Sequence, residues 1–157
     1  MNIIADKIIE LLKEHLAEPR QIKRFYLGNP MELAAADLPC LFVQPLRKSV
    51  EQLDNVYDQM TCDFIVGVCV DPAKYQKKDV DEATAERYLM EIEGGRNADG
   101  TPMTTSVTYV MRNHFTLEAT AVYQDQDTAW GEREMTGGVA KEIHIYFTIK
   151  TKIKNID

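Results

Sequence analysis

Residues 53–70, LDNVYDQMTCDFIVGVCV, contain the run that decides the fold. From Cys62 onward, Cys62, Phe64, Val66, Val68 and Val70 alternate with Ile65, Gly67 and Cys69. A period of two identifies a strand, and apolar side chains on both faces place its second half at the centre of a sheet. The first half carries Asn55, Asp58 and Gln59, which predicts an extension beyond the core, toward solvent or a partner. Asp71-Pro72 ends the strand.

Toward the C-terminus the period changes to that of a helix. Ala85, Tyr88, Leu89 and Ile92 form an i, i+3, i+4, i+7 stripe that predicts a helix over 81–93, stopped by Gly94-Gly95. After a loop at 96–102, Thr104 or Thr105 is expected to cap a shorter helix whose stripe is Val107, Val110, Met111 and His114. Alternation returns at 115–124 and 141–154, two strands expected to pair antiparallel across a long polar connection, 125–140, hinged at Gly137-Gly138. Toward the N-terminus, Ile4, Ile8, Leu11 and Leu12 mark an amphipathic helix stopped by Glu18-Pro19. A short strand at 24–27, a stretch of good helix formers but little length at Met31 to Ala36, and a strand from Cys40 to Val43 closed by Pro45 complete the reading. Strands interrupted by a helical pair predict one α+β domain over 1–157. Its mostly antiparallel sheet of four to five strands is covered on one face by the N-terminal helix and the central helices.

The chain has 157 residues, 45% of them hydrophobic, and a net charge of −7. That length buries a core without disulfides or a metal. No stretch has the roughly 20 apolar residues of a membrane span, and no signal peptide is expected. Cys40, Cys62 and Cys69 are odd in number and lie in apolar runs, which fits buried thiols in a reducing compartment. An acidic protein is a poor scaffold for phosphate contacts. The acidity is regional, with 12 acidic and 5 basic residues between 51 and 99.

Chemistry is hard to find. Two serines, Ser49 and Ser106, sit outside any nucleophile elbow, and the glycines form no phosphate-binding loop. His15, His114 and His144 have no metal-ligand spacing, and no metal or other cofactor is expected. The more suggestive residues are contact residues. Trp130 in its polar loop, with Glu132, Arg133 and Met135 beside it and Tyr57 in the strand extension, is a candidate partner surface. Asp79, Asp81, Glu82 and Glu86 form an acidic face, either solvated or lining a passage that repels nucleic acid. Lys150, Lys152 and Lys154 are expected to guard the last strand as a charged edge.

An amphipathic first helix, a Leu-Pro-Cys-Leu-Phe-Val strand entry at 38–43, a long strand ending at Asp71, helices at 81–93 and 105–113, and a closing strand pair together resemble the tail terminator proteins of long-tailed bacteriophages. Neck proteins that join head to tail are similar. The likeness covers nearly the whole chain and lies in length and element order, so no residue role is carried over. It implies a structural virion protein of the tail or neck, not an enzyme, assembled in the bacterial cytoplasm. Its subunits would form a ring, usually a hexamer, that caps the tail tube protein, ends polymerisation and meets the head connector. DNA would pass through the ring without specific binding, and no membrane is involved. The alternatives are another neck ring, such as a head-closure or tail-completion protein, or a small α+β enzyme or ligand binder, for which His114, Tyr109 and Asp63 are the residues to test.

Overall fold

The computed structural model describes residues 2–75, 84–114 and 122–154. Its elements are α1 (Asn2–Leu16), β1 (Arg24–Leu27), β2 (Cys40–Gln52), β3 (Tyr57–Val70), α2 (Thr84–Gly94), α3 (Val107–His114), β4 (Val122–Met135) and β5 (Gly138–Lys154), with 3-10 turns at Ala35–Asp37 and Pro72–Tyr75. The five strands form one sheet in the order β1-β2-β3-β5-β4. Only β1 and β2 run parallel; the other three pairings are antiparallel. The α+β fold is as the sequence predicts, with β3 at the centre.

The helical stripes meet one face of this sheet. Ile4, Ile8, Leu12 and Leu16 of α1, Leu89 and Ile92 of α2, and Val107, Val110 and Met111 of α3 are buried against Phe64, Val66, Val68, Ile143, Ile145 and Ile149. Burial of this apolar surface drives the fold. Arg20 fastens the helices to one another: its Nε donates to the carbonyl of Thr105 at 2.8 Å and its Nη1 pairs with Glu91 at 3.3 Å. The hydroxyl of Tyr88 donates to the Arg20 carbonyl at 2.6 Å.

The opposite face has a smaller core, covered by the connection between β1 and β2 rather than by a helix. Leu33 and Leu38 of that connection pack on Cys40, Phe42, Ile65, Cys69 and Ala140, with Met135 at the margin. Phe42 lies across Gly67, so a Cβ built on Gly67 would stand 2.1 Å from its ring. The connection holds a cis Leu38–Pro39 peptide.

Several sequence expectations are corrected here. The strand expected to close at Pro45 continues to Gln52, because β1 covers only Cys40 to Val43 and a missing N–H beyond them faces an open edge. A register irregularity between Pro45 and Arg47 absorbs the proline. The polar connection 125–140 is not a loop. β4 runs through it to Met135 and returns by a two-residue turn, Thr136-Gly137, in which Gly137 takes φ +85° while Gly138 pairs with Met135. Cross-strand pairing satisfies the backbone there, so alternating polar side chains can face solvent from a strand. Met31 to Ala36 is too short to form a helix and gives only the turn at Ala35–Asp37. The cap of α3 is Ser106, whose hydroxyl oxygen accepts from the N–H of Tyr109 at 3.2 Å. Lys150 is not on a free edge, since β5 pairs with β3 from Lys141 to Lys154 and with β4 from Gly138 to Lys150.

Candidate assembly surfaces

Beyond the two cores the sheet continues as an arm. From Leu46 to Gln52 every residue of β2 is exposed, as is the turn that leads to Tyr57. The tip is built on Asp54, whose Oδ1 accepts from the N–H groups of Val56 and Tyr57, each at 2.7 Å. The N–H groups of Leu53 and Asp54 both reach the Tyr57 carbonyl, at 3.0 and 3.2 Å. A side chain that satisfies its own turn holds the tip in one conformation. What that tip displays is apolar: Leu46, Val50, Leu53, Val56 and Tyr57 are between 37% and 51% exposed. The ammonium of Lys152 lies 4.3 Å from the centroid of the Tyr57 ring.

The second surface lies at the other end of the sheet, between α2 and β4. Trp130 pairs with Ile143, so its indole points to the helical face, where it meets the outer side of α2. Together with Glu86, Arg87, Met90, Glu91, Glu93, Gly95 and Arg96 it bounds a groove of about 660 Å³. Met90 is 58% and Trp130 51% exposed. The walls are fixed by polar ties: the Thr128 hydroxyl donates to Glu93 Oε1 at 3.1 Å, and Glu86 pairs with Lys141.

The expected contact residues therefore separate. Tyr57 is on the arm and Trp130 in the groove. Glu132 is exposed on β4. Arg133 and Met135 belong to the second core: Arg133 Nη2 is 2.8 Å from Glu142 Oε2, and its Nη1 donates to the Pro30 carbonyl at 2.8 Å. Its guanidinium carbon is 5.6 Å from the centroid of Phe42. Strand alternation turned these two side chains inward beneath the β1–β2 connection. Of the acidic face, Glu86 is half-buried and ion-paired, whereas Asp79, Asp81 and Glu82 lie outside the described residues.

The network around Glu142 was not legible in the sequence. Its carboxylate receives Arg133 and the Cys69 thiol, the latter at 3.3 Å, and His144 Nε2 lies 3.3 Å from Oε1. Burial alone would raise the Glu142 pKa, but His144, the thiol and the Arg133 charge outweigh it and hold it below its ordinary value of about 4.5. A depressed folded value means stability that is present above the unfolded pKa and lost as pH falls through the folded one. Urea midpoints should therefore decline as pH is lowered below about 4.5, and Glu142→Gln should flatten that part of the profile. An unchanged slope in the variant would show that the network does not contribute to acid sensitivity.

All three thiols are fully buried. The Cys69 thiol is pushed up by its hydrogen bond with the Cys40 thiol and by burial, and Cys62 by burial, so both keep their protons at neutral pH. The grouping of Tyr109, His114 and Asp63 does not form. Tyr109 and His114 have ring centroids 5.9 Å apart on α3, with His15 stacked at 4.2 Å from His114. Asp63 is on the opposite face, held by Arg47 at 3.2 Å and the Thr148 hydroxyl at 2.6 Å. Among the described residues no three His, Cys, Asp or Glu side chains are arranged to hold a metal, and no described helix is long and apolar enough to cross a membrane. No protein-family model matches the chain, and no curated protein matches its sequence.

Proposed function

We propose that this chain is an assembly subunit whose copies associate head to tail into a closed ring. Within that class the particular role is that of a tail terminator of a long-tailed bacteriophage. The ring, a hexamer in this reading, caps the tail tube protein, halts its growth and offers its other side to the head connector, while DNA passes through the centre without specific binding. The work is structural rather than catalytic, and the place of action is the virion.

The observation that carries the reading is the presence of two different exposed apolar surfaces at opposite ends of one sheet. From Ile143, opposite Trp130, to Lys154, opposite Tyr57, β5 spans 12 residues, or about 36 Å over the steps between them at ~3.3 Å per residue. Neither surface can cover the other within one copy. A head-to-tail contact uses two unlike patches and closes into a ring when its rotation permits. The resemblance in length and element order to terminator proteins, read from the sequence, supports the choice within the class.

Native mass spectrometry over a range of concentrations, with negative-stain images of the same samples, is the test. A closed ring with an open centre is the expected result. A chain that stays monomeric and also fails to bind the ends of purified tail tubes would overturn the reading.

A further inference from the structure

We infer that Cys40 and Cys69 form a reversible redox site in the second core, where a small hydroperoxide closes a disulfide between β2 and β3. The inference goes beyond the ring reading and does not depend on it.

The sheet register sets the two residues directly opposite each other, and both side chains enter the core beneath the β1–β2 connection. The carbonyls of Pro39 and Val43 accept from Lys23 and Gly28, at the two ends of β1. Strand alternation therefore turns the backbone groups of Cys40 toward β3, which makes Cys40 and Cys69 a hydrogen-bonded pair with Cα atoms about 5.5 Å apart. A disulfide spans Cα separations of about 4.4–6.8 Å. The Cβ atoms of such cross-strand pairs are about 4.5–5.5 Å apart, wider than the roughly 3.8 Å of a relaxed bridge, so the strands must draw together and the bond stays reducible.

The surroundings divide the roles of the two sulfurs. Against the effect of burial, the hydrogen bond from the Cys69 thiol and the charge of Arg133 hold the Cys40 thiol below its ordinary range, while Cys69 keeps its proton. Cys40 is therefore the sulfur that attacks. Glu142 Oε2 accepts from Cys69 Sγ at 3.3 Å, and His144, beside the other carboxylate oxygen, is 22% exposed, which gives the Cys69 proton a way out. Both sulfurs are fully buried, so bulky oxidants are kept away and hydrogen peroxide, close to water in size, is the oxidant that fits. In the first step the Cys40 sulfur attacks one peroxide oxygen. An S–O bond forms, the O–O bond breaks, and the hydroxide released takes up the proton that Cys40 lost. In the second step the Cys69 sulfur attacks the Cys40 sulfenic acid. The S–S bond forms, the S–O bond breaks, and hydroxide leaves as water with the Cys69 proton, passed through Glu142. Two thiols are oxidised and one peroxide is reduced to two waters. Cys62 is the contrast, since it faces the helical core on the other side of the sheet.

Peptide mapping of the full folded chain after treatment with hydrogen peroxide is the test. Met31, 98% exposed, reports the dose by its conversion to the sulfoxide. The expected result is a Cys40–Cys69 link that lacks two hydrogen atoms and is reversed by dithiothreitol, with Cys62 still alkylated as a free thiol. An unfolded control separates folded geometry from chance pairing. Cys62 is much nearer to Cys69 in sequence than Cys40 is, so in urea loop closure favours a Cys62–Cys69 link. Cys69→Ser should leave a sulfenic acid on Cys40 that dimedone traps, and Cys40→Ser should slow thiol loss about tenfold or more. The wild-type map decides even where a variant fails to fold. Three free thiols at a dose that has oxidised Met31 would overturn the inference. So would a Cys62–Cys69 link in the folded chain, or a sulfinic acid on Cys40 without a disulfide.

Discussion

Gly67→Ala is expected to lower the unfolding free energy by about 3 kcal/mol, toward the upper end of overpacking costs. An alanine Cβ there would lie 2.1 Å from Cζ and 2.2 Å from Cε1 of Phe42, where no real contact exists. Neither partner has room to move. Phe42 is fully buried, its ring meeting His144 edge-on at 5.5 Å and lying under Arg133, and Gly67 sits in the central strand between β2 and β5. Shrinking the ring should relieve the clash, so Phe42→Leu combined with Gly67→Ala should be more stable than the two separate losses add up to. Urea unfolding of the four proteins in this cycle measures the coupling. Strict additivity would mean that the strand shifts instead and that the ring does not fill the glycine's space.

Arg133→Met should cost a similar amount, about 3 kcal/mol, although Arg133 lies on a strand that alternates toward solvent. The side chains of Arg133 and Glu142 are only 16% and 11% exposed, and the pair is 2.8 Å apart. Removing one partner of a buried pair leaves the other charge without compensation. Here it also releases the Pro30 carbonyl, and with it the connection that roofs the second core. The double variant Arg133→Met with Glu142→Leu should recover much of the loss, because replacing both partners removes the buried charge rather than stranding it. In urea at neutral pH the single variant's midpoint should fall by about 1.5 M, taking a slope of about 2 kcal/mol per molar. A shift under about 0.3 M on the same slope would show that the pair is solvated and contributes little.

These two sites separate what a sequence carries from what it does not. Periodicity alone determined the α+β class, the central position of 62–70, the helical stripes apart from His114, which is exposed at the end of α3 rather than on its buried stripe, and the last strand, because amphipathic spacing is fixed by local geometry and by which side must be dry. It also marked Tyr57 and Trp130 as residues out of place in polar surroundings, and the structure leaves both partly exposed. It could not show that 125–135 is a strand, since an edge strand with one solvated face has a weak apolar signal and is made by pairing with a distant partner. Nor could it show that Pro45 lies beyond the reach of β1, because that depends on where another strand ends. Arg133, Met135, Glu142, His144 and Cys69 are spread over more than 70 residues and meet only when β4 and β5 bring their inner faces under the β1–β2 connection. The groove at Trp130 likewise needs α2 laid beside β4. Local spacing decides which face of an element is apolar. Which element that face meets, and what is left uncovered at the ends of the sheet, is decided by contacts between residues far apart in the chain, and only the tertiary structure fixes those.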